Sequence, residues 1–142
     1  MTRESCVGEI DAIKAEYEAG RLEELRGDLE RFLLAHRERI RAFAAEQAAK
    51  GLAPTTETAV KFYLLRQRSI NPRREIQEQL EEIQREKWIR GVNTGRAPDP
   101  QEVASDWARR YSAMWREHRI TKIVYVFERE KDRYLKLVEP GA

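Results

Sequence analysis

Residues 120–138 read ITKIVYVFEREKDRYLKLV, and how this stretch is read decides the fold. Ile123-Val124-Tyr125-Val126-Phe127 is an unbroken run of β-branched and aromatic residues, the types that suit a pleated, half-buried surface. A second apolar group, Tyr134, Leu135, Leu137 and Val138, follows the charged segment Glu128–Asp132. The pattern predicts strands over Ile120–Glu128 and Arg133–Val138, joined by a charged turn. Ile123, Tyr125 and Phe127 would point to one face of the first strand, and Val124 and Val126 to the other. The second strand would place Leu135 and Leu137 on one face, and Tyr134 and Val138 on the other. A lone hairpin is marginal in water and leaves an open edge. It is therefore expected to pair with an equivalent hairpin in a homodimer, to take a strand from another protein, or to be covered by the N-terminal part of the chain.

Upstream, the sequence reads as helix. Asp99-Pro100 opens one with a cap followed by proline. Trp107, Tyr111 and Trp115 recur every fourth residue along it, and it is expected to end near His118, with Val103, Trp107, Tyr111, Met114 and Trp115 facing inward. Gly91–Pro98 is expected to be a loop. Asn71-Pro72 repeats the cap-plus-proline start, and the helix it opens is expected to run to about Arg90, burying Ile76, Leu80, Ile83 and Trp88. Another helix is expected over Thr56–Ser69, with Thr55 or Thr56 as cap and Val60, Tyr63 and Leu64 inward. Before Gly51 and Pro54, residues 5–50 are apolar at three-and-four spacing, with one phase break and a kink or turn near Glu18–Arg21. The expected class is mainly α (α+β): four to five helices followed by a C-terminal antiparallel β-hairpin. Residues 1–50 form a helical arm and residues 51–142 a helical domain with the hairpin, or the two merge into one domain.

The chain has 142 residues, of which 37% are charged and 41% hydrophobic, with a formal net charge of +2. Balanced charge at this density points to salt-bridged helix faces, and periodic apolar content argues against disorder. The N-terminus lacks a secretory signal pattern, and no apolar run is long enough to span a bilayer. Cys6 is the only cysteine, which excludes an internal disulfide and a thiolate metal cluster within one chain. A cytoplasmic protein without membrane attachment is expected.

Catalytic signatures are absent. There is no HExxH, no Walker lysine loop, no Gly-x-Ser-x-Gly and no pair of Glu-x-x-His motifs. His36 lies on an apolar stripe between Leu33 and Ile40, where a satisfied structural histidine is the better reading. His118 is expected to close a helix, where the dipole favours a cation. Glu102 and Asp106 share a helix face near an N-terminus, which stabilises their ionised forms and argues against a raised catalytic pKa. The Gly91–Gly95 loop is a weak candidate phosphate cradle. No catalytic residue, cofactor or metal ligand is assigned, and a carboxylate-bound metal enzyme stands third among the functional readings.

Nucleic acid is the second candidate partner. Arg66, Arg68, Arg73 and Arg74 form a basic run with Lys61, and Arg109, Arg110 and Arg116 interleave with aromatics. Three helices from Thr56 followed by a hairpin resemble the order of a winged-helix module. The hairpin tip, however, alternates acid and base. The leading reading is a non-catalytic accessory, adaptor or regulatory protein acting through protein contacts, with itself or another protein. Its expected interaction surface is Trp115, Arg119, Tyr125, Phe127, Leu135 and Leu137. Leu25, Leu29, Phe32 and Ile40 are further candidates on the arm.

Overall fold

The computed structural model describes residues 3–53 and 55–139, with side chains from residue 8 onward. The described residues form eight helices and no strand: α1 Arg3–Glu18, α2 Glu23–Ala35, α3 Arg37–Ala49, α4 Thr56–Gln67, α5 Pro72–Thr94, α6 Pro100–Arg110, α7 Ser112–Arg129 and α8 Lys131–Val138. The expected four to five helices and the β-hairpin are both corrected. Residues 120–138 are the end of α7, a one-residue break at Glu130, and α8.

The physical reason lies in the same letters. Ile120, Ile123 and Phe127 are three and four residues apart, and Tyr134 and Val138 are four apart, so a helix also gathers them on one face. All five are buried, together with Val126, while Val124 and Tyr125 are only partly buried against the core. Burial therefore follows the helical period rather than the alternation of a strand. The linking Glu-Arg-Glu-Lys-Asp holds no glycine, proline or asparagine to turn a hairpin, and most of its residues favour helix. The chain breaks only where Glu130 takes φ −125° and ψ 37°. β-Propensity measures fit to an environment, and here the environment is other helices.

The chain groups into two compact units. The first comprises residues 1–70 and 120–142, so residues 71–119, the second unit, form an insertion within it. In the first unit α8 packs on α2, α3 and α4, and α3 on α4. Leu29, Leu33, Ile40, Val60, Leu64, Ile123, Val126, Phe127 and Tyr134 form its fully enclosed centre. The long N-terminal stretch resolves into three helices, with Gly20 at φ 74° in the turn after α1 and His36 between α2 and α3. A fork of two short hydrogen bonds ties α2 to the start of α8. Arg26 donates from Nε to Glu130 Oε2 (2.6 Å) and from Nη2 to Glu130 Oε1 (2.7 Å). At the other end of α8, Arg41 donates from Nε to the Val138 carbonyl at 2.7 Å and from Nη2 to that of Glu139, satisfying carbonyls that a helix end leaves open.

In the second unit, α5 begins where local chemistry says it should. Asn71 accepts from the Arg74 N–H at 3.1 Å, and the Asn71 N–H donates to Glu75 Oε2 at 2.9 Å. The helix continues through Gly91 to Thr94, a turn beyond the expected end, and stops at Gly95, whose φ of 68° suits glycine. Asp99 caps α6 by accepting from the Gln101 N–H at 3.0 Å.

Candidate interaction surface

The second unit has an unusual distribution of polarity. Among its residues Val103 is the one buried apolar side chain, whereas Glu75 and Arg119 are buried. The inward side of α5 is ionic. Glu78 accepts from the Arg119 guanidinium, and Glu75 lies 4.0 Å from Arg119 Nε. Further along, Arg90 donates to Glu86 at 3.1 Å and to Asp106 of α6 at 2.8 Å. Asp106 also accepts from Arg109 at 2.9 Å. Its carboxyl is held below the usual carboxylate range, first by the Arg90 hydrogen bond and then by the other arginines.

The outward side of α5 is apolar. Ile76, Leu80, Trp88 and Val92 are 59%, 55%, 69% and 62% exposed. Ile76, Leu80 and Trp88, expected on a buried stripe, are instead exposed, and at about 100° per residue they spread over about 120° of the helix circumference. Met114 of α7, expected inward, is exposed as well. Beside the stripe lies an apolar groove of about 400 Å³, lined by Gln84, Lys87, Trp88, Gly91, Val92 and Pro98.

The residues nominated from sequence for protein contacts are dispersed. Phe127 is fully enclosed, stacked near Tyr134 at 6.3 Å. Tyr125 meets Tyr17 edge-on at 5.9 Å, and Leu135 and Leu137 pack partly buried against the core. Arg119 is buried in its ionic cluster, with its guanidinium 5.6 Å from the centre of the Trp115 ring. No strand edge exists among the described residues, so pairing through a hairpin is ruled out, as is the wing of a winged-helix module. On the arm, Leu25, Leu29, Phe32 and Ile40 belong to the core of the first unit. The nominated arginines divide between units: Arg66 and Arg68 belong to the first, and Arg73, Arg74, Arg109, Arg110 and Arg116 to the second. Arg66 lies over the Phe43 ring at 5.9 Å, and Arg110 lies 3.5 Å from Asp106.

His36 Nδ1 is 2.7 Å from Tyr63 Oη, and its ring stacks on Phe32 at 4.2 Å. Burial, then Arg39, pushes its pKa below the usual imidazole range. His118 lies inside α7, which continues past it instead of ending there. Gly91 sits within α5, and at the start of α6 the Asp99 carboxylate accepts from the Gln101 N–H. Among the described residues no three His, Cys, Asp or Glu side chains converge as metal ligands, and no helix is long and apolar enough to cross a membrane.

No protein-family model, no curated protein and no solved structure matches the chain.

Proposed function

We propose that the protein is a non-catalytic interaction protein, an accessory or regulatory factor of the cytoplasm whose docking surface is the outward side of α5. One observation carries this reading: in the second unit Glu75 and Arg119 are buried while Ile76, Leu80, Trp88 and Val92 are exposed. A contiguous exposed apolar patch marks a binding surface more often than chance exposure does, and tryptophan is the residue most enriched at binding hot spots. A row of apolar side chains beside a groove suits the apolar face of a helix. Full-length tagged protein, captured from its native cell beside a Leu80→Glu/Trp88→Glu variant with unchanged circular dichroism, tests the reading. The variant should lose the partners that the wild type retains. Identical partner sets from both would refute it. Nucleic acid is the weaker alternative, because the winged-helix order that motivated it lacks its hairpin among the described residues, and Arg109 and Arg110 pair in part with Asp106. Failure to bind duplex or single strands at low salt removes it.

A further inference from the structure

The two units are held together by different means. Leu29, Leu33, Ile40, Val60, Leu64 and Phe127 are fully enclosed in the first. The second encloses Val103 and otherwise buries charge, with Glu75 8% and Arg119 7% exposed. Its enclosed polar groups are also incompletely satisfied. Arg119 Nη1 donates to Glu78, but Arg119 Nε and Nη2 find no hydrogen-bond acceptor in the protein, and neither does Trp107 Nε1. A buried donor without an acceptor keeps the full penalty of leaving water. Apolar burial is the main source of folding free energy, so residues 71–119 have far less holding them closed than the first unit has.

The ionic cluster also has a telling position. The second unit begins at Asn71 and ends at Arg119. The Asn71 N–H donates to Glu75 Oε2, Glu75 Oε1 lies 4.0 Å from Arg119 Nε, and Glu78 accepts from Arg119. The first turns of α5 are thereby tied to the last residue of the unit, across 41 positions of sequence between Glu78 and Arg119. We propose that residues 71–119 open and close as one body while the rest of the chain stays folded, and that Arg119, clasped by Glu75 and Glu78, is the latch. Such a cluster suits a latch better than a permanent joint. Desolvation offsets much of the attraction within a buried ion pair, yet removal of one partner strands the other charge and strongly favours opening. The motion does not depend on what α5 binds.

Native-state hydrogen exchange on the full-length protein tests this, under conditions where closing outpaces exchange. The amides of α5 and α6 should share one level of protection, roughly a hundredfold below that of the innermost amides of α2, α3 and α8. Glu78→Gln, which removes the charge that Arg119 donates to, should lower protection in α5 and α6 by about another tenfold and leave α2, α3 and α8 unchanged. Glu75→Gln/Glu78→Leu/Arg119→Met removes the ions together and keeps an acceptor for the Asn71 N–H. It should restore wild-type protection or exceed it, as apolar replacement of buried ion clusters does. Equal protection in α5, α6, α2 and α8 of the wild type would make the chain one cooperative body and overturn the proposal. A loss in Glu78→Gln spread evenly over all these helices would do the same. Failure of the triple variant to regain what Glu78→Gln loses would show that the ions are not the latch.

Discussion

Val124 and Val126 offer a direct measure of what residues 120–138 are. They are the same residue type, two apart, on one face of any strand, so a hairpin makes them equivalent. In α7 they differ: Val126 is fully enclosed and Val124 is only partly buried at the edge of the core. Val126→Ala removes two buried carbons, worth about 1.6 kcal/mol in transfer. An unfilled cavity of about 50 Å³ adds about 1.2 kcal/mol at 24 cal/mol per Å³. Alanine recovers about 0.6 kcal/mol of helix propensity relative to valine, which leaves a net loss of about 1–2 kcal/mol depending on how far the site collapses. At Val124 about half the transfer cost applies, with little cavity, so propensity cancels it to within about 0.5 kcal/mol. Urea unfolding followed at 222 nm should show a lower midpoint for Val126→Ala and an almost unchanged one for Val124→Ala. Equal losses, or a greater loss at Val124, would show that the burial assigned to α7 is wrong.

Glu130→Gln should cost about 2 kcal/mol, because it removes a charge-assisted fork from Arg26. The Arg26 hydrogen bonds hold the Glu130 carboxyl below its ordinary pKa, so its contribution is complete above about pH 4.5 and lost as pH falls. The variant's acid-unfolding curve should lack that slope, and an unchanged slope would contradict the assignment. Burial pushes the Tyr134 phenol up to about 12, so the unfolded chain ionises first once pH exceeds about 10 and stability falls there. Tyr134→Phe should flatten this alkaline limb in melts between pH 9 and 12; an equally steep limb would locate the titration elsewhere. Trp88, Trp107 and Trp115 all lie in the second unit, so indole fluorescence reports on that unit. Asn71→Ala, which removes the α5 cap, should cost about 1 kcal/mol when unfolding is followed by this signal, and no change would mean that the cap is dispensable.

Legibility in the sequence followed the range of the interactions. Asn71-Pro72 and Asp99-Pro100 announced helix starts because a cap and its amide lie within four residues of each other. Gly51 and the region around Gly20 were readable as terminators for the same reason. The stretch from Ile123 to Phe127 was not, because its residue types fit either a pleated surface or a helix–helix core, and the choice was made by distant residues such as Leu29 and Leu33. Those lie in α2, about ninety residues away in sequence. Its helical spacing was present in the letters, and the missing turn residues between Glu128 and Asp132 were the signal that could have decided the matter. In α5 the period was legible but its direction was not. Periodicity states which residues share a side of a helix; whether that side meets a core or a solvent boundary depends on partners that the period does not encode. Charged residues of α5 found Arg119 and Asp106, and Ile76, Leu80, Trp88 and Val92 were left exposed.

The insertion of residues 71–119 within the first unit also has a consequence in time. Leu29, Leu33, Val60 and Leu64 leave the ribosome well before Ile123, Val126, Phe127 and Tyr134, the side chains that close the core over them. At elongation rates of about 5–20 residues per second, the intervening stretch holds this half-built core open for several seconds. During that interval the apolar faces of α2–α4 lack the side chains that cover them in the folded chain. Shortening the delay, for example by a circular permutation that brings α7 and α8 ahead of α1, should raise the yield of folded protein made at high temperature.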